Sequence, residues 1–322
     1  MHPGTRLRGE FMDRTAAGEK RRRMGKTGFE VYPLCLGGNV FGKEGRTDEG
    51  ASWQILDRFV EAGGNCIDTA DIYGDGKSEE IIGRWMSARH NRDDIVIATK
   101  VGFQGGLSPE NIRLSVEGSL RRLGVDRIDL YYAHTDDKSV PLVDVVRTFD
   151  ALVREGKVVE LGASNFTVER LDQALTLAQS EGLHEFRVIQ PHFNLVHRTE
   201  YEGKLQDYVV RNDIAVFPYY GLASGFLTGK YRKGASVDST RAQTAWKYLD
   251  GRGERILGAL DRVAQGRDAT VAQVALAWLA AMPGVTAPIA SARTVAQLEE
   301  LLPMTELHLS SEELEVLTAA SS

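Results

Sequence analysis

Short apolar runs alternate with longer stretches of helical spacing along almost the whole chain. The runs fall at 31–37, 65–70, 94–101, 128–134, 158–164, 187–193, 214–220 and 286–291, each rich in Val, Ile, Leu or aromatic residues, and they read as strands. Between them, at 48–62, 78–89, 109–123, 142–155, 168–181, 201–212, 270–282 and 294–302, the apolar residues recur at helical spacing. Several of these stretches open on Ser, Thr or Pro, which satisfy or dispense with the free N–H groups of a first helical turn. Eight strand–helix units predict a single-domain α/β fold, a (β/α)8 TIM barrel, because buried parallel strands read as continuous apolar runs and the helices cover them outside. An open doubly wound sheet competes, but "GGNVFG" at 37–42 puts Asn39 where its dinucleotide turn needs a glycine. Two segments lie outside the repeat: a Gly- and Tyr-rich connection at 221–250 after the seventh strand, and a closing helix at 309–320 capped by Ser310 or Ser311.

Composition sharpens this picture only in places. The 322 residues suit one barrel of about 250 residues plus insertions. Residues 1–23, ending in "EKRRR", lack a hydrophobic period and are expected to form a mobile arm, leaving 24–322 as the barrel. A net charge of −6 with 26% charged residues offers no dense basic surface, so nucleic acid is not an expected partner. No run approaches a membrane span and no secretory apolar segment opens the chain, so a cytoplasmic protein is expected, with no membrane partner. Cys35 and Cys66 sit inside apolar runs and are expected to be buried free thiols. "GDGKS" at 74–78 lacks the leading glycine of a phosphate-binding loop, Asp71 standing there, and reads as a turn with Ser78 capping the next helix. His192 and His197 are five apart with no completing carboxylate, so no metal is expected.

Candidate chemistry gathers at strand ends. Asp68 and Tyr73 in "CIDTADIYGDG", Lys100 closing "IVIATK" and His134 closing "LYYAH" all fall at or just past a strand, and a barrel brings such ends to one rim. Alone, an Asp or a Tyr here is an ordinary turn or packing residue; Lys100 is harder to dismiss, because a lysine is seldom buried without a partner. Free tyrosine, with a pKa of about 10, is a poor proton donor near neutrality. A Lys100 ammonium oriented by Asp68 is expected to lower that value and make Tyr73 a general acid, with His134 positioning a carbonyl and stabilising developing alkoxide charge.

With "Asp-Thr-Ala-x-x-Tyr-Gly" intact, this constellation resembles the catalytic tetrad of the aldo-keto reductase superfamily, and the resemblance runs from about residue 24 to 302. It implies a nicotinamide cofactor, NADPH rather than NADH. "GASNF" at 162–166 is similar to a family motif in which Ser164 and Asn165 hydrogen-bond the carboxamide, with Gln190 sharing the task. By the same likeness Tyr219 stacks on the nicotinamide, Leu222, Ser224, Gly225 and Lys230 wrap the pyrophosphate, and Ser291, Arg293 and Gln297 hold the adenosine 2′-phosphate. Gly38 and Asn39, after the first strand, and Asp68 complete the implied cofactor contacts. The chain departs from the pattern at Leu301, where many relatives carry Asn, and at Gly221, where Pro is common.

Phe41, Phe103, Tyr220 and Trp246 are the candidates for a substrate wall, implying an apolar or aromatic carbonyl as the small-molecule partner. The expected activity is therefore reduction of an aldehyde or ketone to an alcohol. Two alternatives stay open: a Schiff-base lyase of aldolase type using Lys100, and a slow-turnover, channel-associated subunit of the same fold.

Overall fold

The computed structural model describes residues 21–237 and 242–322. Most of the expected N-terminal arm, residues 1–20, lies outside the described residues. Arg22–Arg23, at the end of that arm, instead pairs antiparallel with Glu30–Val31. The Arg22 guanidinium donates to the carbonyls of Ala280, at 2.8 Å, and Thr286, at 3.3 Å. This hairpin buries Met24 and Val31 against the interior of the barrel.

Eight parallel strands follow: β1 (Cys35–Gly37), β2 (Cys66–Asp68), β3 (Val96–Val101), β4 (Ile128–Ala133), β5 (Val158–Ser164), β6 (Phe186–Gln190), β7 (Ala215–Val216) and β8 (Ile289–Ala290). They run in the order β8-β1-β2-β3-β4-β5-β6-β7. The two ends meet where Val216 bridges Val285 and the Thr286 and Ile289 N–H groups donate to the Val216 and Pro218 carbonyls, both at 2.9 Å. All eight expected strands exist, though β7 and β8 hold only two residues each.

The α-helices of seven residues or more are α1 (Glu49–Glu61), α2 (Lys77–Arg89), α3 (Pro109–Leu123), α4 (Leu142–Arg154), α5 (Val168–Glu181), α6 (Lys204–Asn212), α7 (Gly251–Arg267), α8 (Val271–Ala281), α9 (Val295–Leu301) and α10 (Ser311–Ala320). On α4, Val145, Val146, Phe149 and Leu152 share one buried stripe, each burial worth about 1.5–3 kcal/mol. Ser310 caps α10 in a reciprocal box with Glu313. Ser78 does not cap α2: it lies inside that helix, buried, and its hydroxyl bonds the Gly38 carbonyl at 2.9 Å and Thr69 at 2.8 Å, stitching β1 to β2. The 17-residue α7 occupies a stretch the sequence pattern left unassigned. Among the described residues, no helix is long and apolar enough to cross a membrane.

Inward side chains such as Val96, Ala98, Leu130, Val188 and Phe217 fill the barrel, and a larger core separates strands from helices. Cys35 and Cys66 face each other inside it as free, buried thiols, their sulfurs 3.3 Å apart. Burial pushes the Cys35 thiol well up, so it stays protonated.

Candidate active site

Strands β2, β3 and β4 deliver the four expected polar residues to one rim. β2 ends on Asp68, and the chain then turns through Tyr73 and a left-handed Gly74 with φ of 60°. A side chain at Gly74 would meet the Phe41 and Gly42 carbonyls at 3.3 and 3.4 Å. Glycine there lets the loop after β1 lie directly against the Tyr73 turn. Lys100 points inward from β3 with no solvent exposure, and His134 follows β4 immediately.

Lys100 Nζ donates to Asp68 Oδ1 and to the Thr69 carbonyl, both at 2.6 Å. Gln190 Nε2 donates to the other carboxylate oxygen at 2.8 Å. Burial pulls the Lys100 ammonium down, but Asp68 and the Tyr73 hydroxyl more than offset it and its pKa is raised. A charged lysine therefore sits 5.0 Å from the centroid of the Tyr73 ring.

Tyr73 corrects the expected direction. Burial pushes its phenol above the ordinary value, and the Lys100 ammonium pulls against that without reversing it. At neutral pH Tyr73 is thus a protonated phenol, not a standing phenolate, with a cation beside it that would stabilise its conjugate base. His134 lies 6.1 Å from it, ring to ring, at 80°. Burial and Lys100 hold its imidazole down to about 3, so it is neutral. Its Nδ1 is buried without a hydrogen-bond partner.

These groups open onto a cavity of about 730 Å³. Asp68, Tyr73 and His134 line it, while Lys100 lies behind them. Asn39, Ser164, Asn165, Gln190, Tyr219, Leu222, Ser224, Gly225, Lys230, Ser291, Arg293 and Gln297 line the same cavity, as do Phe103 and Tyr220. Left-handed backbone at Asn165, Tyr220 and Ser224 gathers in this wall, as strained residues tend to do where a site is shaped. The Tyr219 hydroxyl donates to Asn165 Oδ1 at 2.7 Å, and the Asn165 amide nitrogen donates to the His134 carbonyl at 3.0 Å. The Ser164 hydroxyl donates to the Gln190 carbonyl at 2.9 Å.

Three expected residues lie elsewhere. Phe41 is wholly buried in the outer core, turned from the cavity by the bridge between its backbone and Thr47. Trp246 packs edge-on against Tyr231 at 5.3 Å and does not line the cavity. Gly38 is also set back, its N–H donating to the Asp68 carbonyl at 2.7 Å. Gln297 lines the wall, but its Oε1 accepts from the Arg293 N–H at 2.9 Å, so part of its capacity closes the start of α9.

Other residues of the site carry no motif in the sequence. Behind Tyr219, His192 stacks at 5.2 Å and His197 stacks on His192 at 3.7 Å. Contrary to the sequence reading, a carboxylate does join them: His192, His197 and Glu200 bring ligand atoms within 4.8 Å, but rings only 12° from parallel send their lone pairs side by side rather than to one point. Asp71, two residues before Tyr73, has a buried Oδ1 without a partner. Burial and Glu79 raise its carboxyl to about 6. Arg46, in the loop after β1, also lines the cavity.

Comparison with known proteins agrees with this geometry. The chain is 31% identical over 319 residues to norsolorinic acid reductase of Aspergillus flavus, covering 93% of this chain and 80% of that protein. It is 34% identical over 294 residues to a probable voltage-gated potassium channel subunit beta of Arabidopsis thaliana, covering 87% and 89%. It is 30% identical over 331 residues to aryl-alcohol dehydrogenase [NADP(+)] of Phanerodontia chrysosporium, covering 94% and 86%. The profile of the aldo/keto reductase family matches residues 33–322, and with an eight-stranded parallel barrel carrying Asp68, Tyr73, Lys100 and His134 at one rim, the chain belongs to that family.

Proposed function

We propose that this protein is an NADPH-dependent carbonyl reductase that converts an aldehyde or ketone to an alcohol. One observation carries the reading: a buried Lys100–Asp68 pair at 2.6 Å behind a protonated Tyr73 and opposite a neutral His134. A reduced nicotinamide, when bound, supplies the hydride. His134 donates a hydrogen bond to the carbonyl oxygen, Tyr73 gives that oxygen its proton, and Lys100 stabilises the phenolate left behind.

The residues present suit such a cofactor. Among the described residues, the Arg293 guanidinium and the Lys230 ammonium have no hydrogen-bond or ion-pair partner, and Lys230 lies 5.3 Å from the centroid of the Tyr231 ring. These two cations suit the 2′-phosphate and the pyrophosphate, while Ser164, Asn165, Gln190 and Tyr219 form the nicotinamide end. A Schiff base would need Lys100 as a free amine, and its upward-shifted, ion-paired ammonium opposes that. The Arabidopsis relative keeps open the reading as a slow, channel-associated subunit.

A panel of aromatic and aliphatic aldehydes with NADPH or NADH tests the proposal. Many turnovers per site are expected, faster with NADPH, with Arg293→Ala losing about 10-fold or more in NADPH affinity and little for NADH. Oxidation confined to one equivalent supports the slow subunit; borohydride trapping of substrate on Lys100 supports the lyase.

A further inference from the structure

The cavity wall holds one cation that the reading above does not use. Arg46 lies between β1 and α1, and among the described residues its guanidinium makes no hydrogen bond or ion pair. Acids stand close by in sequence, yet Asp48 is engaged in capping α1 through Ala51 at 2.8 Å, and Glu49 is taken by Arg84, also at 2.8 Å. Most other arginines among the described residues are bound to carboxylates or carbonyls, so a partly buried arginine left open toward a cavity stands out. The cavity as a whole is electropositive for its setting. Among the described residues, Arg46, Lys230 and Arg293 line it, Glu300 is its one acid besides Asp68, and Asp68 is neutralised by Lys100, all in a chain of net charge −6. A local positive field in an acidic protein draws and holds anions.

Where Arg46 is anchored decides which anion. Its neighbour Thr47 bridges Phe41, and the Gly42 N–H donates to the Thr47 carbonyl at 2.9 Å. The 41–42 backbone packs on Gly74, next to Tyr73, and Gly42 abuts Lys77 at the start of α2. Arg46 is thereby tied to the proton-donor turn, whereas Lys230 belongs to the loop after β7 and Arg293 to the start of α9. We propose that Arg46 is a specificity-determining residue that binds the carboxylate of an anionic carbonyl substrate, an aldehyde or ketone carrying a carboxyl group away from its reacting carbon. Phe103 and Tyr220, both well exposed at the cavity wall, give the body of such a substrate apolar contact. A planar guanidinium suits a carboxylate because it can offer two parallel N–H groups. This inference rests on the carbonyl-reductase reading for its reaction but not for its binding.

The test pairs 4-carboxybenzaldehyde with benzaldehyde, in wild type and in Arg46→Gln and Arg46→Lys. Wild type is expected to favour the carboxylated aldehyde. Arg46→Gln should lose roughly 10- to 100-fold in kcat/KM for that aldehyde alone, with benzaldehyde turnover and the KM for NADPH unchanged, and Arg46→Lys should recover part of the loss. Equal losses with both aldehydes together with a raised KM for NADPH would assign Arg46 to the cofactor and overturn the proposal. Calorimetric titration with benzoate keeps the question answerable without turnover. Weaker benzoate binding in Arg46→Gln supports the site even if neither aldehyde is reduced, and equal binding in the two proteins refutes it.

Discussion

At Lys100, the desolvation that ordinarily strips the charge from a buried ammonium is outweighed by Asp68, 2.6 Å away. Tyr73 shows the opposite balance, with burial prevailing over the ammonium beside it. The sequence disclosed which residues meet but not which term wins, because that depends on how completely each is buried. The state of Asp71 is not legible in the sequence for the same reason. Its neighbours Glu79, Arg122 and Lys100 come from α2, α3 and β3, and their fields act on a carboxyl whose Oδ1 has no partner. Because the folded carboxyl titrates near 6 against an ordinary 3.8, its ionisation costs stability, and that increment is lost as pH rises through this window. Asp71→Asn, which cannot ionise, should match wild type below the window and exceed it at about pH 8 by about 1–3 kcal/mol. Urea unfolding at both pH values reads the difference, and a variant no more stable at the higher pH contradicts the assignment.

Elements were most legible where a single period ran uninterrupted, as on α5, whose observed bounds of Val168–Glu181 match the sequence pattern. Strands β7 and β8 shrank because much of the expected 214–220 and 286–291 runs reaches the rim, where the chain turns into the cavity wall. α7 was missed because Gly251, Gly253, Gly258 and Gly266 mask it, each glycine costing a helix about 1 kcal/mol. The signal was present in Ile256, Leu257, Leu260 and Val263, which form its buried face behind the Asp250 cap. Its glycines are not equivalent. At Gly253 a Cβ would collide with the Tyr248 carbonyl oxygen, whereas at Gly266 nothing lies within 4 Å. Gly253→Ala should therefore destabilise by about 1–3 kcal/mol and Gly266→Ala should stabilise by about 0.5–1 kcal/mol. Thermal unfolding separates the two, and equal shifts would mean that the close approach at Gly253 is not a constraint.

For the molecule as a whole, barrel closure turns distance in sequence into proximity. Asp68 and Gln190 are 122 residues apart and hydrogen-bond at 2.8 Å, because β2 and β6 face each other across the interior. The alternation of runs foretold that convergence, and the polar strand ends foretold the four groups at the rim. What stayed hidden were arrangements set by tertiary neighbours alone: an Arg46 without a side-chain partner among the described residues, and the stack that His192 and His197 build behind Tyr219. The central claim is that the Tyr73 hydroxyl delivers the proton. Its most direct test is aldehyde-dependent NADPH oxidation by Tyr73→Phe, with NADPH binding measured on the same protein by fluorescence. Turnover is expected to fall by about 10²–10⁴-fold while cofactor affinity holds; a variant that binds NADPH and reduces the aldehyde at the wild-type rate would contradict the account.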